Sequence, residues 1–481
     1  MPCIGSARLL PACLAVAATA LAAAPVHAAN GLTVLHAFDY EDGNIAYGRL
    51  VQGDDGAFYG TTYLGGANNM GEVFKVDAGG NFAIVHSFSG TDGASPISGL
   101  VLMDDGNFYG TAPSANYCPT GGACRFSDDV VFRMAPDGSL TTLHSVPASA
   151  GERPGSLIAG RDGLLYGLTA HGGAARKGSA YAIATDGTYV HLADFVGANG
   201  STPYGGLTEG TDGNFYGTTS MGGTDDKGTV FRMTPGGTIT TLHSFHGGKE
   251  GWGPGGTLLQ GNDSRFYGGT PYDGGGRGTA FAITADGELT TLHAFNGGDG
   301  TGPMDALVQG SDGDLYGVGL GGYYNQGTLF RLSTGGTLTT LHQFEAKDGK
   351  LPYSAPVFGS DGRLYGTTTM LGSRSGLGTG SVYAFDLSAP RKPEIFLLKS
   401  CYDLRHNGID CLHQRRPYRV LLNWTATNVQ YCRASGAWTG PRPTGGNQTL
   451  TLIHPGAFLY RLDCVGPDGH ASAQTFATLI R

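Results

Sequence analysis

The stretch that decides the fold begins with Gly-Thr-Asp-Gly-Asn-Phe-Tyr-Gly-Thr-Thr at 210–219. It continues as Gly-Thr-Val-Phe-Arg-Met-Thr-Pro-Gly-Gly at 228–237 and ends as Thr-Thr-Leu-His-Ser-Phe at 240–245. Variants of all three phrases recur seven times, about 50 residues apart. The tyrosine of the first phrase stands at Tyr59, Tyr109, Tyr166, Tyr216, Tyr267, Tyr316 and Tyr365. Each phrase is a short β-rich run bounded by glycine, which predicts a strand.

One repeat unit is predicted to contain four strands. They are strand a at 99–102, strand b at Asn107–Thr111, strand c at Gly228–Met233 and strand d at Thr238–Phe245, the first two read from one copy and the last two from another. Asp-Gly and Gly-Gly between them supply the positive φ angles of tight hairpin turns. A four-stranded unit of this length is typical of a β-propeller blade, and the absence of a 3.6-residue period excludes helical solenoids.

The two ends of the repeat region complement each other. The chain enters it at Gly31–Phe38, which has the pattern of a strand d without its a, b and c. It leaves at Ser381–Phe385, a strand c without a following d. The N-terminal strand should therefore pair into the last blade and remove the free edge. The sequence predicts an all-β fold: a seven-bladed β-propeller over residues 29–388, closed by its own first strand.

The first residues predict export. Arg8 precedes an Ala-rich apolar core, and Val26-His27-Ala28 resembles a cleavage site, so residues 1–28 are interpreted as a signal peptide. No later segment is long and apolar enough to span a membrane. The net charge is −9 and no basic stripe occurs, which argues against nucleic acid as a partner. We expect a monomer that is secreted to the outside or to the outer cell surface, with the periplasm as a further destination.

Cysteines outside the predicted signal peptide fall into three local pairs. They are Cys118 with Cys124, Cys401 with Cys411, and Cys432 with Cys464. In an oxidising compartment these spacings favour three disulfides. Metal binding by cysteine is the weaker alternative, because no Cys-x-x-Cys pair occurs.

The repeat phrases at 210–219, 228–235 and 240–245 resemble the secreted choice-of-anchor tandem-repeat proteins of the GloVer family. That resemblance covers roughly residues 31–388 and implies export without a settled activity. After a linker at 389–393, residues 394–481 look like a bacterial immunoglobulin-like domain. In such domains a tryptophan packs against an inter-sheet disulfide, which this resemblance assigns to Trp424, Cys432 and Cys464. Such domains usually act as spacers or adhesive arms.

Residues that recur in every repeat are interpreted as scaffold. They include one histidine per repeat in six repeats, at His36, His86, His144, His243, His293 and His342. They also include the seven tyrosines and the aspartates of the a–b turns. Buried polar groups usually have hydrogen-bond partners, so packing between and within blades explains these residues better than a catalytic or metal-binding array.

Function is expected where the repeats differ. The b–c and d–a loops emerge on the same side of a four-stranded meander, and here they are long and variable. Aromatic side chains beside polar ones suit sugar rings. The predicted ligand-binding residues are Tyr63, Tyr204, Trp252, Tyr323, Asn325 and Tyr353. Loop tips of any exported protein also carry tyrosine and charge, and this plainer explanation stays open.

Two hypotheses of function remain. The favoured one is a non-catalytic binding protein that presents this loop-rich face to extracellular glycan or protein. The alternative is an enzyme acting on polysaccharide, most plausibly a uronate lyase and less plausibly a glycoside hydrolase. A lyase needs a base, an acid and a cation, and the candidates are His171, His246, Tyr272, Tyr324 and Arg277. No cofactor is expected; the alternative is calcium at the Asp-Gly d–a loops of Asp92, Asp299 and Asp348.

Overall fold

The computed structural model describes the following parts of the chain. They are residues 26–27, 31–112, 116–117, 125–126, 129–146, 154–272, 277–322, 325–370, 379–389, 394–403, 418–427, 431–442, 445–452, 456–466 and 469–479. These residues contain no α-helix, and Gly248–Glu250 is a single 3₁₀ turn. No helix among them is long and apolar enough to cross a membrane. The fold is all-β and propeller-like.

Seven antiparallel sheets, here numbered 1 to 7 in chain order, make up the repeat region of the described residues. Their first strands (a) are Val51–Gln52, Val101–Leu102, Pro154–Ala159, Thr208–Glu209, Leu259–Gln260, Val308–Gln309 and Val357–Phe358. Their second strands (b) are Phe58–Thr62, Phe108–Ala112, Leu165–Thr169, Phe215–Thr219, Phe266–Thr270, Leu315–Gly319 and Leu364–Thr368.

The third strands (c) are Glu72–Val76, Asp129–Met134, Ser179–Ile183, Thr229–Met233, Thr279–Ile283, Thr328–Leu332 and Ser381–Phe385. The fourth strands (d) are Phe82–Ser87, Leu140–Val146, Tyr189–Asp194, Ile239–Ser244, Leu289–Ala294, Leu338–Gln343 and, for sheet 7, Leu32–Ala37. Every sheet has the order a-b-c-d. A short hairpin of Asn116–Tyr117 and Arg125–Phe126 interrupts sheet 2 between strands b and c.

Sheet 7 is completed by the start of the chain, as the two ends of the repeat region predict. Leu32 lies opposite Phe385 and Ala37 lies opposite Ser381, with a bulge between Val34 and His36. Val26–His27 adds a short outer strand to this sheet, which cleavage after Ala28 would remove. The first and last strands of the repeat region are therefore hydrogen-bonded neighbours.

Successive sheets are held together by buried apolar clusters. Seven such clusters join sheet 1 to sheet 2 and so on around to sheet 7, and the last joins sheet 7 back to sheet 1. At five of the seven junctions the repeated tyrosine packs on an aromatic ring of the next sheet, as Tyr216 does on Phe266 at 3.9 Å between centroids. At the other two, Tyr109 and Tyr267 share a cluster with Leu165 and Leu315 of the next sheet. The glycine after Tyr216 is required by packing: a Cβ on Gly217 would come within 2.6 Å of the Phe231 ring.

The seven repeated tyrosines all have a hydrogen-bond partner. Each hydroxyl donates to the aspartate four residues earlier, at 2.6–2.9 Å. Burial and then the hydrogen bond to Asp212 raise the pKa of Tyr216 to about 12. The aspartate also caps its own turn, because Asp212 Oδ1 accepts the backbone N–H of Asn214. These residues are scaffold, as the sequence predicts.

The repeated histidines bind the d–a loops. The Nε2 atoms of His36, His86, His293 and His342 lie 2.8–3.0 Å from a carboxylate six residues later, and that of His243 lies 3.2 Å from Glu250. His86 also contacts the carbonyl of Gly138 in sheet 2 through Nδ1. These bonds fix the course of five d–a loops, and the bond to Gly138 also joins sheets 1 and 2. His144 instead stacks on Tyr189 of the next sheet with ring centroids 4.2 Å apart.

The C-terminal part forms two antiparallel sheets. One contains Glu394–Asp403, Tyr418–Thr427 and Gly445–Leu452; the other contains Gly440–Arg442, Tyr431–Gly436, Gly456–Gly466 and Gly469–Leu479. Cys432 and Cys464 form a disulfide, but they lie directly opposite each other on adjacent strands of the second sheet. The predicted inter-sheet bridge against Trp424 is therefore wrong.

The physical reason is that both cysteines belong to strands of the second sheet, whereas Trp424 belongs to a strand of the first. The buried indole in the sheet of the disulfide is Trp438, whose Nε1 donates to the Arg461 carbonyl. Cys118, Cys124 and Cys411 lie outside the described residues, as does the side chain of Cys401. Their pairings stay predictions.

Candidate functional site

The b–c and d–a loops meet on one face of the ring, here called the variable face. Backbone bridges join the two kinds of loop at Asn44 with Leu64, Ser201 with Met221, Trp252 with Tyr272, and Lys350 with Met370. Several residues next to these bridges have positive φ angles, among them Ile45 at 59° and Thr202 at 57°. β-Branched residues rarely adopt this conformation, so the loops are held in a strained, defined shape.

Exposed apolar side chains concentrate on the variable face. Of the ten exposed large hydrophobic residues among the described ones, eight lie in b–c or d–a loops: Tyr40, Val196, Tyr204, Met221, Trp252, Tyr272, Met304 and Met370. The other two, Ile84 and Val190, lie on outer strands d. Exposed apolar surface gathered on one face marks an interaction surface, whereas isolated exposed residues do not.

A cavity of about 590 Å³ lies at the centre of the ring. Its walls are the strands a and the residues just before them, and all seven sheets contribute. Strands a can approach this closely because small residues stand there: a Cβ on Gly99 would lie 2.5 Å from the Arg49 carbonyl oxygen. The volume is within the range of roughly 300–1,000 Å³ found for ligand pockets.

Tyrosines from three sheets surround the cavity at its variable-face end. Tyr47, Tyr204 and Tyr353 line it, and Tyr47 contacts Tyr353 edge-to-face at 5.4 Å and Tyr63 at 5.8 Å between ring centroids. Burial, followed by the neighbouring Tyr353 and Tyr63, raises the pKa of Tyr47. No hydrogen bond from any described residue reaches the four hydroxyls, in contrast to the seven scaffold tyrosines.

Two charged residues also line the cavity. They are Arg49, two residues before strand a of sheet 1, and Asp305, three residues before strand a of sheet 6. Asp305 accepts the backbone N–H of Ala355 through Oδ2 at 3.0 Å. Burial lowers the pKa of the Arg49 guanidinium, and the nearby Asp305 partly offsets this effect. The cavity therefore combines aromatic faces with one cation and one carboxylate.

A family comparison covers the whole ring. The Gloeobacter/Verrucomicrobia repeat matches residues 25–123, 117–276 and 203–383. The chain belongs to the Gloeobacter/Verrucomicrobia repeat family. The GloVer resemblance of the sequence is thereby confirmed. A search of the curated proteins gave no match.

Solved structures resemble this repeat protein in fold. The extracellular domain of a putative hybrid two-component system of B. thetaiotaomicron superposes with a TM-score of 0.52 at 9% identity, over 94% of this chain and 58% of that one. PorZ, a bacterial surface component of the type-IX secretion system of Porphyromonas gingivalis, gives 0.44 at 13% identity, over 93% of this chain and 61% of that one. The repeat protein thus spans about three fifths of the length of these structures.

The predicted ligand-binding residues of the repeat protein fall into two groups. Tyr204 and Tyr353 line the central cavity, and Tyr63 reaches it through its contact with Tyr47. Trp252 lies outside the cavity and stacks on Tyr272 with ring centroids 4.4 Å apart. Both rings of this pair are more than a third exposed, at 38% and 45%.

The predicted lyase residues are spread over several loops of the repeat protein. His171 lies beside Tyr204, with ring centroids 6.3 Å apart. His246 lies within hydrogen-bonding distance of Asp225, at 2.9 Å, and Tyr272 stacks on Trp252. No hydrogen bond or ring contact joins these three to one another in the described part of the chain. Arg277 is an exposed loop residue that does not line the cavity. Tyr324 lies outside the described residues.

Two further predictions concern loops at the rim. Asn325 is exposed, has a φ of 55° and donates its backbone N–H to Gly322, so its placement is explained by the turn itself. Tyr323 lies outside the described residues.

The aspartates considered as calcium ligands bind histidines instead. The carboxylates of Asp92, Asp299 and Asp348 each lie within hydrogen-bonding distance of a repeated histidine. Among the described residues no group of three or more His, Cys, Asp or Glu side chains is arranged to bind a metal ion.

Sequence reasoning missed Arg49, Met304 and Asp305, all of which line the cavity of the repeat protein. All three stand just before strand a, where the loop-by-loop search did not look, and the positions of Arg49 and Asp305 carry small residues in the other repeats. Aligning these positions across the seven repeats identifies both charged residues as exceptions. That alignment needs only the sequence.

Proposed function

We propose that this chain is a secreted, non-catalytic binding protein that presents the variable face of a seven-bladed β-propeller to extracellular glycan or protein. In this proposal an immunoglobulin-like domain at 394–481 follows a linker at 389–393 and acts as a spacer. The observation that carries the proposal is the concentration of exposed apolar side chains on the variable face. Water-exposed apolar surface is unfavourable unless a partner covers it.

Seven sheets joined in sequence by seven apolar clusters support a blade count of seven. The two C-terminal sheets with a buried tryptophan support the immunoglobulin-like assignment. The predicted signal peptide and the Cys432–Cys464 disulfide support export, because disulfides persist in oxidising compartments.

Glycan is the ligand class that the aromatic residues favour. Trp252 and Tyr272 present partly exposed rings in a stacked pair, and tyrosines whose hydroxyls have no partner among the described residues surround the cavity. Aromatic faces pack on the C–H faces of sugar rings, while phenolic hydroxyls and charged groups hydrogen-bond sugar hydroxyls. The same residue types serve at protein interfaces, so the test includes protein ligands as well.

The test measures binding and chemistry together. Purified protein is incubated with immobilised polysaccharides and extracellular proteins, while the solution is assayed for reducing ends and for the ultraviolet absorbance of unsaturated uronates. We expect saturable binding of at least one glycan without product. Tyr204→Ala and Trp252→Ala should each weaken it about tenfold. Val190→Ala is the control, because Val190 is exposed to a similar degree but lies off the variable face.

The outcomes separate the hypotheses. Product formation would overturn the non-catalytic assignment and favour the lyase or hydrolase alternative, for which His171, His246, Tyr272, Tyr324 and Arg277 remain predictions. Binding that survives both aromatic substitutions would place the ligand elsewhere on the chain. Absence of any binding across the panel would overturn the proposal.

A further inference from the structure

The seven repeats carry nearly uniform small residues in the layer where Arg49 stands. A leucine that six of the seven sheets share allows the repeats to be aligned at this position. It packs against the glycine of strand b, as Leu50 does against Gly60. The residue before it is Gly99, Ser156, Gly206, Thr257, Ala306 and Ala355 in sheets 2 to 7. Only sheet 1 places a charged residue there, and that residue lines the shared cavity.

At the position one residue before that of Arg49, only one of the seven sheets carries a charged residue, and its charge is negative. Sheets 1 to 5 and 7 carry Gly48, Ser98, Gly155, Gly205, Gly256 and Ser354. Sheet 6 carries Asp305. Two charged residues thus break the repeat pattern in adjacent layers, and both line the same cavity. Ring closure needs neither of them, since the other repeats close with small neutral residues.

Among the described residues Arg49 has no direct partner, and Asp305 only partly compensates its charge. Its guanidinium has no hydrogen bond or salt bridge with any described residue, although Asp305 is close enough to raise its pKa. A guanidinium keeps its charge at neutral pH even when burial lowers its pKa. Placing a charge in a narrow cavity without a partner costs free energy of folding. Such a residue is explained by a ligand that supplies the missing partner.

Asp305 has one oxygen available. Oδ2 accepts the backbone N–H of Ala355, whereas Oδ1 has no hydrogen bond from the described residues. Its second oxygen can therefore accept a hydroxyl from a ligand in the cavity. A single cation beside a carboxylate, in a chain of net charge −9, does not suit a polyanion or a dianion. It suits a ligand that carries one negative charge next to hydroxyl groups.

We propose that the central cavity binds a terminal uronic acid residue of a glycan, with the sugar carboxylate paired to Arg49 and a sugar hydroxyl bonded to Asp305. Tyr47, Tyr204 and Tyr353 then contact the sugar ring at the variable-face end of the cavity. A guanidinium pairs with a carboxylate through two parallel hydrogen bonds, which selects it over neutral groups. This inference rests on the proposed function, because it names the ligand class of the same face.

The test compares an acidic glycan with its neutral counterpart. An oligosaccharide ending in glucuronic or galacturonic acid, and the same oligosaccharide after reduction of the carboxyl to the alcohol, are titrated calorimetrically into the full chain. We expect the acidic form to bind at least about tenfold more tightly, with an affinity that falls as salt rises. Arg49→Gln should remove this preference, and Arg49→Lys should retain part of it, because lysine keeps the charge but not the paired geometry.

Lys249→Gln is the matched control. Lys249 is an exposed cation of the variable face outside the cavity, so its removal changes the net charge equally and should leave the preference intact. The melting temperature of Arg49→Gln should equal or exceed that of the parent, because the substitution removes an unpaired charge. Equal affinity for acidic and neutral forms, or an unchanged preference in Arg49→Gln, would overturn this inference and leave the proposed glycan binding intact. Failure of the acidic form to bind while other glycans bind would overturn it too, and failure of all glycans would overturn both.

Discussion

The rings of Phe58 and Tyr365 stack with their centroids 3.9 Å apart, although Phe58 belongs to sheet 1 and Tyr365 to sheet 7. The same tyrosine-to-aromatic contact joins sheets 1 and 2 through Tyr59 and Phe108, at 4.2 Å. Sheet 7 thus packs on sheet 1 through the same kind of contact that joins sheets 1 and 2. The ring is closed by packing as well as by the pairing of the first and last strands, and this closure decides which loops become neighbours.

Loss of the closing strand's buried anchor should destabilise the ring. Leu32 is fully buried in the cluster that joins sheets 6 and 7, so Leu32→Ala should lower the free energy of unfolding by about 2–5 kcal/mol in chemical denaturation. Thr33→Ala in the same strand is the control, with an expected change below about 1 kcal/mol, because Thr33 is only partly buried. Equal stability of parent and Leu32→Ala would show that the strand does not close the ring.

Scaffold and candidate ligand tyrosines should respond differently to loss of the hydroxyl. Tyr216 donates to Asp212 at 2.8 Å, so Tyr216→Phe should cost about 1–2 kcal/mol of stability. Tyr204 has no such partner among the described residues and is 54% exposed, so Tyr204→Phe should leave the melting temperature unchanged. A destabilised Tyr204→Phe variant would mean that this tyrosine is scaffold as well.

One buried hydroxyl should be dispensable. Tyr383 is fully buried on strand c of sheet 7, and its hydroxyl has no hydrogen-bond partner among the described residues. The corresponding position in sheet 4 is Phe231. Tyr383→Phe should therefore raise the free energy of unfolding by about 1 kcal/mol, because it removes an unpaired polar group from the core. A loss of stability would reveal a hydrogen-bond partner for this hydroxyl.

Acid should weaken the loops that the histidines hold. Burial alone would raise the pKa of Asp92, but hydrogen bonds from His86 and Ser89 outweigh it and lower the pKa from 3.8 to about 2. A lowered carboxylate pKa stabilises the fold above the unfolded value, and this stabilisation is lost as pH falls from about 4 to about 2. It amounts to roughly 2 kcal/mol for Asp92.

Denaturant titrations across this pH range test the assignment. Asp92→Asn should be less stable than the parent near neutral pH, and the difference should shrink toward about pH 2. Asp54→Asn serves as the control, because Asp54 is exposed and makes no hydrogen bond with a described side chain. A difference that stays constant with pH would contradict the role of the Asp92 carboxylate.

The repeat region could be predicted closely because its pattern is local. Asp-Gly turns and alternating strands recur in phase, so strand order and the pairing of Leu32–Ala37 with Ser381–Phe385 followed from the sequence. Tertiary partners did not follow from the sequence. The Cys432–Cys464 bridge lies within one sheet, which could not be predicted because the spacing of cysteines does not show to which sheet each strand belongs. The candidate site was found only in part. Tyr204 and Tyr353 were identified by residue type. Arg49 and Asp305 were recognised as site residues only in the structure, because the ring brings sheets 1 and 6 to one cavity.

The most direct measurement of the central claim is hydrogen exchange with and without a bound glycan from the binding panel. The account predicts protection in the segments before strands a, at 44–50, 201–206, 302–306 and 350–355, because these line the cavity and the variable face. The a–b turns at 53–57 and 210–214 should exchange at unchanged rates. Protection confined to those turns or to the C-terminal sheets, with none in the loop segments, would contradict it.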